Sequence, residues 1–145
     1  MSLRLNYKTV APDGYKALFG MHGYMTQTVK RPLLDLVWLR VSQINGCAYC
    51  VDLHSQQAAE HGAPQRQIHN VATWWESPLF DAAERAALGY AEAVTRLPNQ
   101  RVPDDVYQAA AAQFSERELV DLTIAIAAMN AWNRMAITFR QGPPA

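Results

Sequence analysis

The sequence predicts an all-α fold: a single-domain helical bundle of about six to seven helices that spans residues 1–145 and associates into oligomers. Apolar residues recur at helical spacing along most of the chain, and two Asp/Ser-x-x-Glu capping boxes mark helix starts. No alternating strand pattern or internal repeat interrupts them. A chain of 145 residues is also the size of one ordinary domain, which can bury most of the surface that its unfolded chain exposes.

Four helices are predicted in the amino-terminal half. A proline in the first turn and apolar residues at helical spacing predict the first helix over residues 12–28. Pro32 opens the second, which is almost continuously apolar until Asn45-Gly46 interrupts it. The third runs over residues 46–61 and ends at Gly62, and the fourth covers residues 64–74 before a turn.

Three further helices are predicted in the carboxyl-terminal half. A capping box at Asp81 begins the fifth, which ends near residue 96, and Pro103 begins the sixth over residues 103–114. A second capping box at Ser115 starts the longest helix, over residues 119–140, and residues 141–145 form a frayed tail. The longest helix is apolar on almost its whole circumference, so we expect subunits to associate through it.

Composition excludes several classes of function. The chain carries 13 basic and 13 acidic side chains, and neither a nucleic-acid footprint nor a polybasic membrane patch is visible. The first residues lack the pattern of a signal peptide, and no apolar run reaches the length of about 18 residues that a membrane span needs. The sequence therefore predicts a soluble, cytoplasmic protein with no nucleic-acid or membrane partner.

The stretch SQINGCAYCVDLH, residues 42–54, carries the predicted chemistry because it holds both cysteines and a nearby histidine. In a reducing compartment a C-x-x-C pair is typical of redox exchange or metal capture rather than of a permanent disulfide. Asn45 is predicted to cap the third helix, which would place Cys47 and Cys50 near the positive end of the helix dipole. Such a position favours the thiolate form.

The histidine of this stretch is four residues beyond the second cysteine. Cys50 and His54 would share one helical face, close enough for the imidazole to take or return a proton. This spacing favours Cys50 as the activated thiol, whereas the helix dipole favours Cys47, which is nearer the amino end. The residues alone leave the assignment open.

NGCAYCVDLHS, together with NAWNR in the last helix, resembles the AhpD-like alkylhydroperoxidases of the carboxymuconolactone decarboxylase superfamily. The family pattern Glu-x11-Cys-x-x-Cys-x-x-x-His falls on Asp35, Cys47, Cys50 and His54, and the likeness extends more loosely over residues 80–140. Asp35 keeps the charge of the family glutamate but is one methylene shorter.

The resemblance implies an all-α homotrimer or homohexamer that reduces organic hydroperoxides without a cofactor or metal. On the family mechanism, Cys50 is the peroxidatic thiolate, Cys47 resolves its sulfenic acid as a disulfide, and His54 and Asp35 relay protons. An external dithiol of the lipoyl or thioredoxin type would recycle the pair.

Other interpretations remain open at the level of sequence. The protein could be a non-catalytic oligomer whose dithiol senses redox state or binds a metal, or a superfamily member with ring-opening or decarboxylating activity. A zinc site would draw on His54 with His61 or His69, although a second cysteine pair is missing. Asp35 could instead be a structural partner of a cation such as Arg40 or Arg134.

Several polar residues of the longest helix are predicted to be structural. Isolated polar side chains in a buried helix must find hydrogen-bond partners, so Asn130, Asn133 and Arg134 are expected at helix contacts. His22, His61, His69 and the four tryptophans carry no functional signal in the sequence.

Overall fold

The computed structural model describes residues 2–144, and all regular secondary structure in that range is helical. Two short 3₁₀ turns, Val71–Thr73 and Pro98–Gln100, lie between the α-helices. The α-helices are α1 (Tyr7–Val10), α2 (Pro12–Thr28), α3 (Leu33–Asn45), α4 (Ala48–Glu60), α5 (Gln65–Asn70), α6 (Ala82–Arg96), α7 (Asp104–Ala111) and α8 (Glu116–Phe139). The predicted all-α class is confirmed.

Helix α3 is the centre of the fold. Its residues from Leu34 to Ser42 are all buried, and it packs against α4, α6 and α8. Trp38 is fully buried, and its indole N–H donates to the carbonyl oxygen of Ala125 in α8 at 3.1 Å. Truncating a buried aromatic of this kind to alanine costs about 3–5 kcal/mol, so Trp38 is a main stabilising residue of the α3–α8 contact.

Helix α8 is covered mainly by its own chain. It packs against α2, α3 and α6, and nine of its residues are buried. An open stripe remains on its outer side, where the exposed residues include Val120 and Ala127, and the apolar side chain of Ile137 is also exposed near the carboxyl end. The bundle thus buries more of this helix than its sequence led us to expect, because α2 and α6 flank it on both sides of α3.

The predicted helix boundaries agree with the structure at several places. Both capping boxes are present: Asp81 with Glu84 at the start of α6, and Ser115 with Glu118 at the start of α8. The sixth predicted helix is shorter than expected and ends at Ala111. Helix α1 was not predicted, because a four-residue helix has too few positions to show a period.

Asn130 and Asn133 of α8 fill the structural role predicted for them at a helix contact, whereas Arg134 is exposed and bonds within α8. Asn45 Nδ2, at the end of α3, donates to Oδ1 of Asn130 at 2.9 Å and to Oδ1 of Asn133 at 2.8 Å. Asn133 is fully buried and donates in turn to the hydroxyl of Ser42 at 3.1 Å, while Arg134 donates to the Asn130 carbonyl oxygen at 2.8 Å. This network fixes the end of α3 against α8. Among the described residues, no helix is long and apolar enough to cross a membrane.

Candidate active site

The junction of α3 and α4 positions the two cysteines. Gly46 adopts a left-handed conformation with φ of 72°, which ends α3, and the next N–H, that of Cys47, donates back to the Ser42 carbonyl oxygen at 3.0 Å. Cys47 is then the N-cap of α4, and its sulfur accepts the backbone N–H of Cys50 at 3.3 Å. The prediction that Asn45 caps this helix is wrong, since Asn45 is the last residue of α3 and its side chain is bonded to α8.

Cys47 and Cys50 form a disulfide at the amino end of α4. Their Cα atoms are 5.3 Å apart, and the two residues are only 1% and 4% exposed. Cys47 is the cap and Cys50 the third residue of the helix, so both sulfurs lie where the helix dipole is positive. This end of the helix stabilises a thiolate whenever the pair is reduced.

His54 lies one turn further along α4 and is also buried, with 4% of its surface exposed. Its Nδ1 lies 2.9 Å from Oε1 of Gln57, and its ring centroid is 5.2 Å from that of Trp38. The pKa of His54 is lowered from 6.5 to about 4, mainly by burial; the Gln57 hydrogen bond acts in the opposite direction, and His22 and Arg31 add to the lowering. The imidazole is therefore neutral at pH 7.

A second imidazole lies near the site from helix α2. His22 stacks on Trp38, the ring that His54 also contacts, and the centroids of the His22 and Trp38 rings are 5.1 Å apart. Arg31 lies over the same indole at 5.2 Å from its centroid. Burial, followed by the charge of Arg31, lowers the pKa of His22 as well. Within residues 2–144, His54 forms no hydrogen bond or ion pair with a carboxylate.

Asp35 is fully buried at the start of α3, and its ion-pair partners differ from the predicted ones. It forms an ion pair with Arg31, and its Oδ2 lies 2.9 Å from Nδ1 of His61, at the carboxyl end of α4. The expectation that Arg40 or Arg134 would pair with it is wrong: Arg40 Nε bonds Glu92 at 2.7 Å, and Arg134 bonds Asn130. Asp35 connects to the site through Arg31, which lies over Trp38.

A cavity of about 120 Å³ opens onto Cys50 and His54. Cys47 is not part of its wall. Apolar side chains of α8 such as Met129 and Ala136 close one side of it, and a group of aromatic and imidazole rings forms much of the rest: Tyr7, Tyr15, Phe19, His22, Tyr49 and Trp132. An apolar, ring-lined cavity of this kind fits an organic molecule better than a small polar one.

The two ends of the described chain meet at this cavity. The backbone N–H of Arg4 donates to the carbonyl oxygen of Phe139 at 2.9 Å, and the Tyr7 hydroxyl donates to Oε1 of Gln141. The tail was predicted to be frayed, but Gln141 is held by its N–H on the Ala136 carbonyl oxygen at 2.9 Å and lines the cavity. Ala145 lies outside the described residues.

The described part of the chain contains no set of side chains arranged as metal ligands. Within residues 2–144, no group of three or more His, Cys, Asp or Glu side chains is placed to hold a metal ion. His61 is engaged with Asp35, and His69 lies on α5, where its Nε2 is 3.0 Å from Nε2 of Gln65. The two histidines considered as zinc ligands therefore have partners away from the cysteine pair.

The described chain is an all-α bundle in which Cys50, one half of a buried C-x-x-C disulfide, and a neutral histidine line one apolar cavity. The model of the carboxymuconolactone decarboxylase family matches residues 12–93, which include both cysteines and His54. The chain belongs to this family.

Relatives in two bacteria support the assignment. The chain is 37% identical over 138 residues to the protein YdfG of Bacillus subtilis (strain 168), and the alignment covers 94% of each chain. It is 39% identical over 106 residues to YnjA of Escherichia coli (strain K12), where it covers 70% of this chain and 58% of the relative. The first alignment shows that the whole domain is shared.

Solved structures show the same fold. A protein of unknown function from Agrobacterium tumefaciens, described as a candidate antioxidant defence protein AhpD, superposes with a TM-score of 0.95 at 37% identity and covers 99% of both chains. The debrominase Bmp8 superposes with a TM-score of 0.83 at 21% identity, over 92% of this chain and 73% of that one. The second likeness concerns the fold alone.

Sequence reasoning missed several residues of this site. Gln57 is three residues beyond His54, a spacing that places the two side chains together on a helix, and this signal was present in the sequence. His22 and His61 reach the site or its neighbourhood only through tertiary packing of α2 and the end of α4, and no local pattern indicates it.

Proposed function

We propose that the protein is a thiol peroxidase that reduces organic hydroperoxides and cycles Cys47 and Cys50 between dithiol and disulfide. The observation that carries the proposal is the cavity: one apolar space adjoins both Cys50 and His54, while Cys47 lies behind it within disulfide distance. This arrangement supports Cys50 as the sulfur that meets the substrate and Cys47 as the resolving one.

The reaction balances with these two sulfurs and one external dithiol. The Cys50 thiolate attacks the terminal oxygen of the hydroperoxide, the O–O bond breaks, and the leaving alkoxide takes a proton to give an alcohol. The Cys47 thiol then attacks the sulfenic sulfur of Cys50, and water leaves as the disulfide forms. A dithiol of the lipoyl or thioredoxin type supplies the two electrons that restore the pair.

His54 is proposed to handle the proton of Cys50. It is neutral at pH 7, so it can accept a proton as the thiol reacts and return it to the alkoxide. Asp35 is proposed to act on this proton transfer at a distance, because its partner Arg31 lies over Trp38, the ring on which His54 packs. The relay role of Asp35 stays a prediction, which its variants test below.

The active form is proposed to be a homotrimer or homohexamer. The open stripe on α8, which includes Val120, Ile124 and Ala127, is the proposed contact between subunits. Such a contact would leave the cavity side of α8, with Met129 and Ala136, inside each subunit.

The direct test is steady-state reduction of cumene hydroperoxide with dihydrolipoamide as the electron donor, with Cys50→Ser as the matched control. We expect catalytic consumption of peroxide by the wild-type protein and none by the variant. A redox sensor whose disulfide this donor does not reduce would instead consume one equivalent and stop. Metal analysis of the same preparation tests the metal-binding alternative, which predicts a stoichiometric ion that is lost in the Cys50→Ser protein.

A further inference from the structure

We propose that Gln57 is a positioning residue: it holds His54 as the Nδ1–H tautomer and leaves Nε2 as the nitrogen that receives the Cys50 proton. The inference deepens the proposed function and rests on it. In the step concerned, the Cys50 S–H bond breaks, its proton moves to Nε2, and the electron pair stays on sulfur, which attacks the peroxide. The proton on Nε2 then passes to the departing alkoxide.

The hydrogen bond between the two side chains sets the tautomer. Oε1 of Gln57 lies 2.9 Å from Nδ1 of His54, and an amide oxygen can only accept. Nδ1 must therefore carry the ring proton, and the lone pair remains on Nε2. Within residues 2–144 the His54 ring makes no other hydrogen bond, so Nε2 is free on a side chain that lines the cavity.

The other groups near the His54 ring do not orient it, so this role falls to Gln57. His22 from α2 and Arg31 before α3 are close enough to lower the pKa of the ring. The other charged or titratable groups that line the cavity with His54 are Tyr7, Lys8, Tyr15, Tyr49 and Cys50. The nearby buried carboxylate, Asp35, is occupied by Arg31 and His61. Since no carboxylate contacts His54, the orientation of its ring depends on a neutral amide.

A neutral partner has a chemical consequence. A carboxylate on Nδ1 would stabilise the imidazolium and raise the pKa of the ring, whereas an amide fixes the orientation without adding negative charge. Burial keeps the pKa of His54 at about 4 although the Gln57 hydrogen bond acts to raise it. The histidine thus enters each reaction unprotonated on Nε2 and accepts its proton only as the sulfur attacks.

The variants that test this are Gln57→Leu, which removes the acceptor, and Gln57→Glu, which keeps an acceptor but adds charge. Gln56→Leu is the matched control, because Gln56 is exposed and one residue away. The first readout is the ¹⁵N spectrum of the His54 ring at pH 7. We expect the Nδ1–H form in the wild type, the control and Gln57→Glu, and loss of that form in Gln57→Leu.

The second readout is the rate at which iodoacetamide alkylates Cys50 in reduced protein that carries Cys47→Ser. Gln57→Leu should slow the alkylation of Cys50 at least about tenfold, in the range for a mispositioned proton-transfer group. Gln57→Glu should restore the alkylation rate and move the titration of His54 to higher pH. Neither readout uses peroxide. A protein that shows the Nδ1–H form but does not reduce peroxide would therefore contradict the proposed function and leave the inference about Gln57 standing. A wild-type spectrum of the Nε2–H form, or unchanged alkylation in Gln57→Leu, would overturn the inference. The wild-type spectrum decides even if a variant fails to fold.

Discussion

The sulfur of Cys47 accepts the backbone N–H of Cys50 at 3.3 Å, so the resolving cysteine of the proposed mechanism is also the N-cap of the helix that carries its partner. Serine is among the best N-cap residues, and a serine at this position can accept the same N–H. Cys47→Ser is therefore a clean substitution, whereas Cys47→Ala should lose about 1 kcal/mol of stability with the cap.

This relationship defines the first prediction. Cys50→Ser should abolish peroxide turnover, and Cys47→Ser should allow one reaction and stall with a sulfenic acid on Cys50, because no second sulfur is left to form the disulfide. Mass spectrometry after one equivalent of hydroperoxide, with a sulfenic-acid trap, measures the result. A sulfenic acid that accumulates on Cys47 in the Cys50→Ser protein would reverse the two roles.

The second prediction concerns stability and pH. His54 has a pKa of about 4 in the folded protein, against 6.5 when unfolded, so between these values the unfolded chain binds the extra proton. The contribution of His54 to the free energy of unfolding is therefore fully present above pH 6.5. It falls by about 3 kcal/mol in all as the pH drops toward 4.

Thermal melts of the wild type and His54→Gln between pH 7 and pH 4 check it. In both proteins the carboxylates become protonated as the pH falls, which lowers stability. The difference between the two curves therefore isolates the contribution of His54. We expect the wild type to lose more stability than the variant across this window. Parallel curves would mean that folding does not lower the pKa of His54.

The cysteine motif and the helix pattern could be predicted from the sequence because both are local. Capping boxes at Asp81 and Ser115, and the i, i+4 pair of Cys50 and His54, depend on spacing alone. The N-cap was misplaced at Asn45 because that residue has the stronger intrinsic preference, and tertiary hydrogen bonds to α8 overrode it.

The partners of the buried acid were harder to choose from the sequence. Asp35 pairs with Arg31, four residues before it, and with His61 at the far end of α4, and only the second pairing depends on α3 and α4 packing side by side. Arg40 is also near Asp35 in the sequence, but it pairs with Glu92 of α6. Charge patterns alone do not decide between such partners.

The third prediction separates a relay from a structural role for Asp35. Asp35→Asn leaves Arg31 without its buried counter-charge and should cost about 3 kcal/mol of stability. The relay adds a second effect: the rate in the folded fraction should fall about ten- to a thousandfold, with Asp35→Glu tolerated. Melting temperature and specific activity of the same variants are the measurements, and a destabilised but fully active Asp35→Asn protein would end the relay.

The fourth prediction concerns assembly through α8. Ala127 is exposed on the open stripe, so Ala127→Glu should leave the monomer fold intact and place charge in the proposed subunit contact. Light scattering at micromolar concentration should give a trimer or hexamer for the wild type and a smaller species for the variant. Ala109→Glu, which alters the exposed face of α7, is the control. A monomeric wild type would remove the claim.

The last prediction concerns the choice of substrate, which the proposed mechanism assigns to the cavity. Phe19 lines the cavity but is 51% exposed, so Phe19→Ala should change binding with little loss of stability. An aromatic contact contributes about 0.5–1.5 kcal/mol, which corresponds to a two- to tenfold rise in KM for cumene hydroperoxide. Hydrogen peroxide has no ring to contact Phe19, so its reduction should not change. Tyr107→Ala removes a similarly exposed ring on α7, away from the cavity, and should affect neither substrate. An equal loss with both peroxides in Phe19→Ala would show that this wall does not select the substrate.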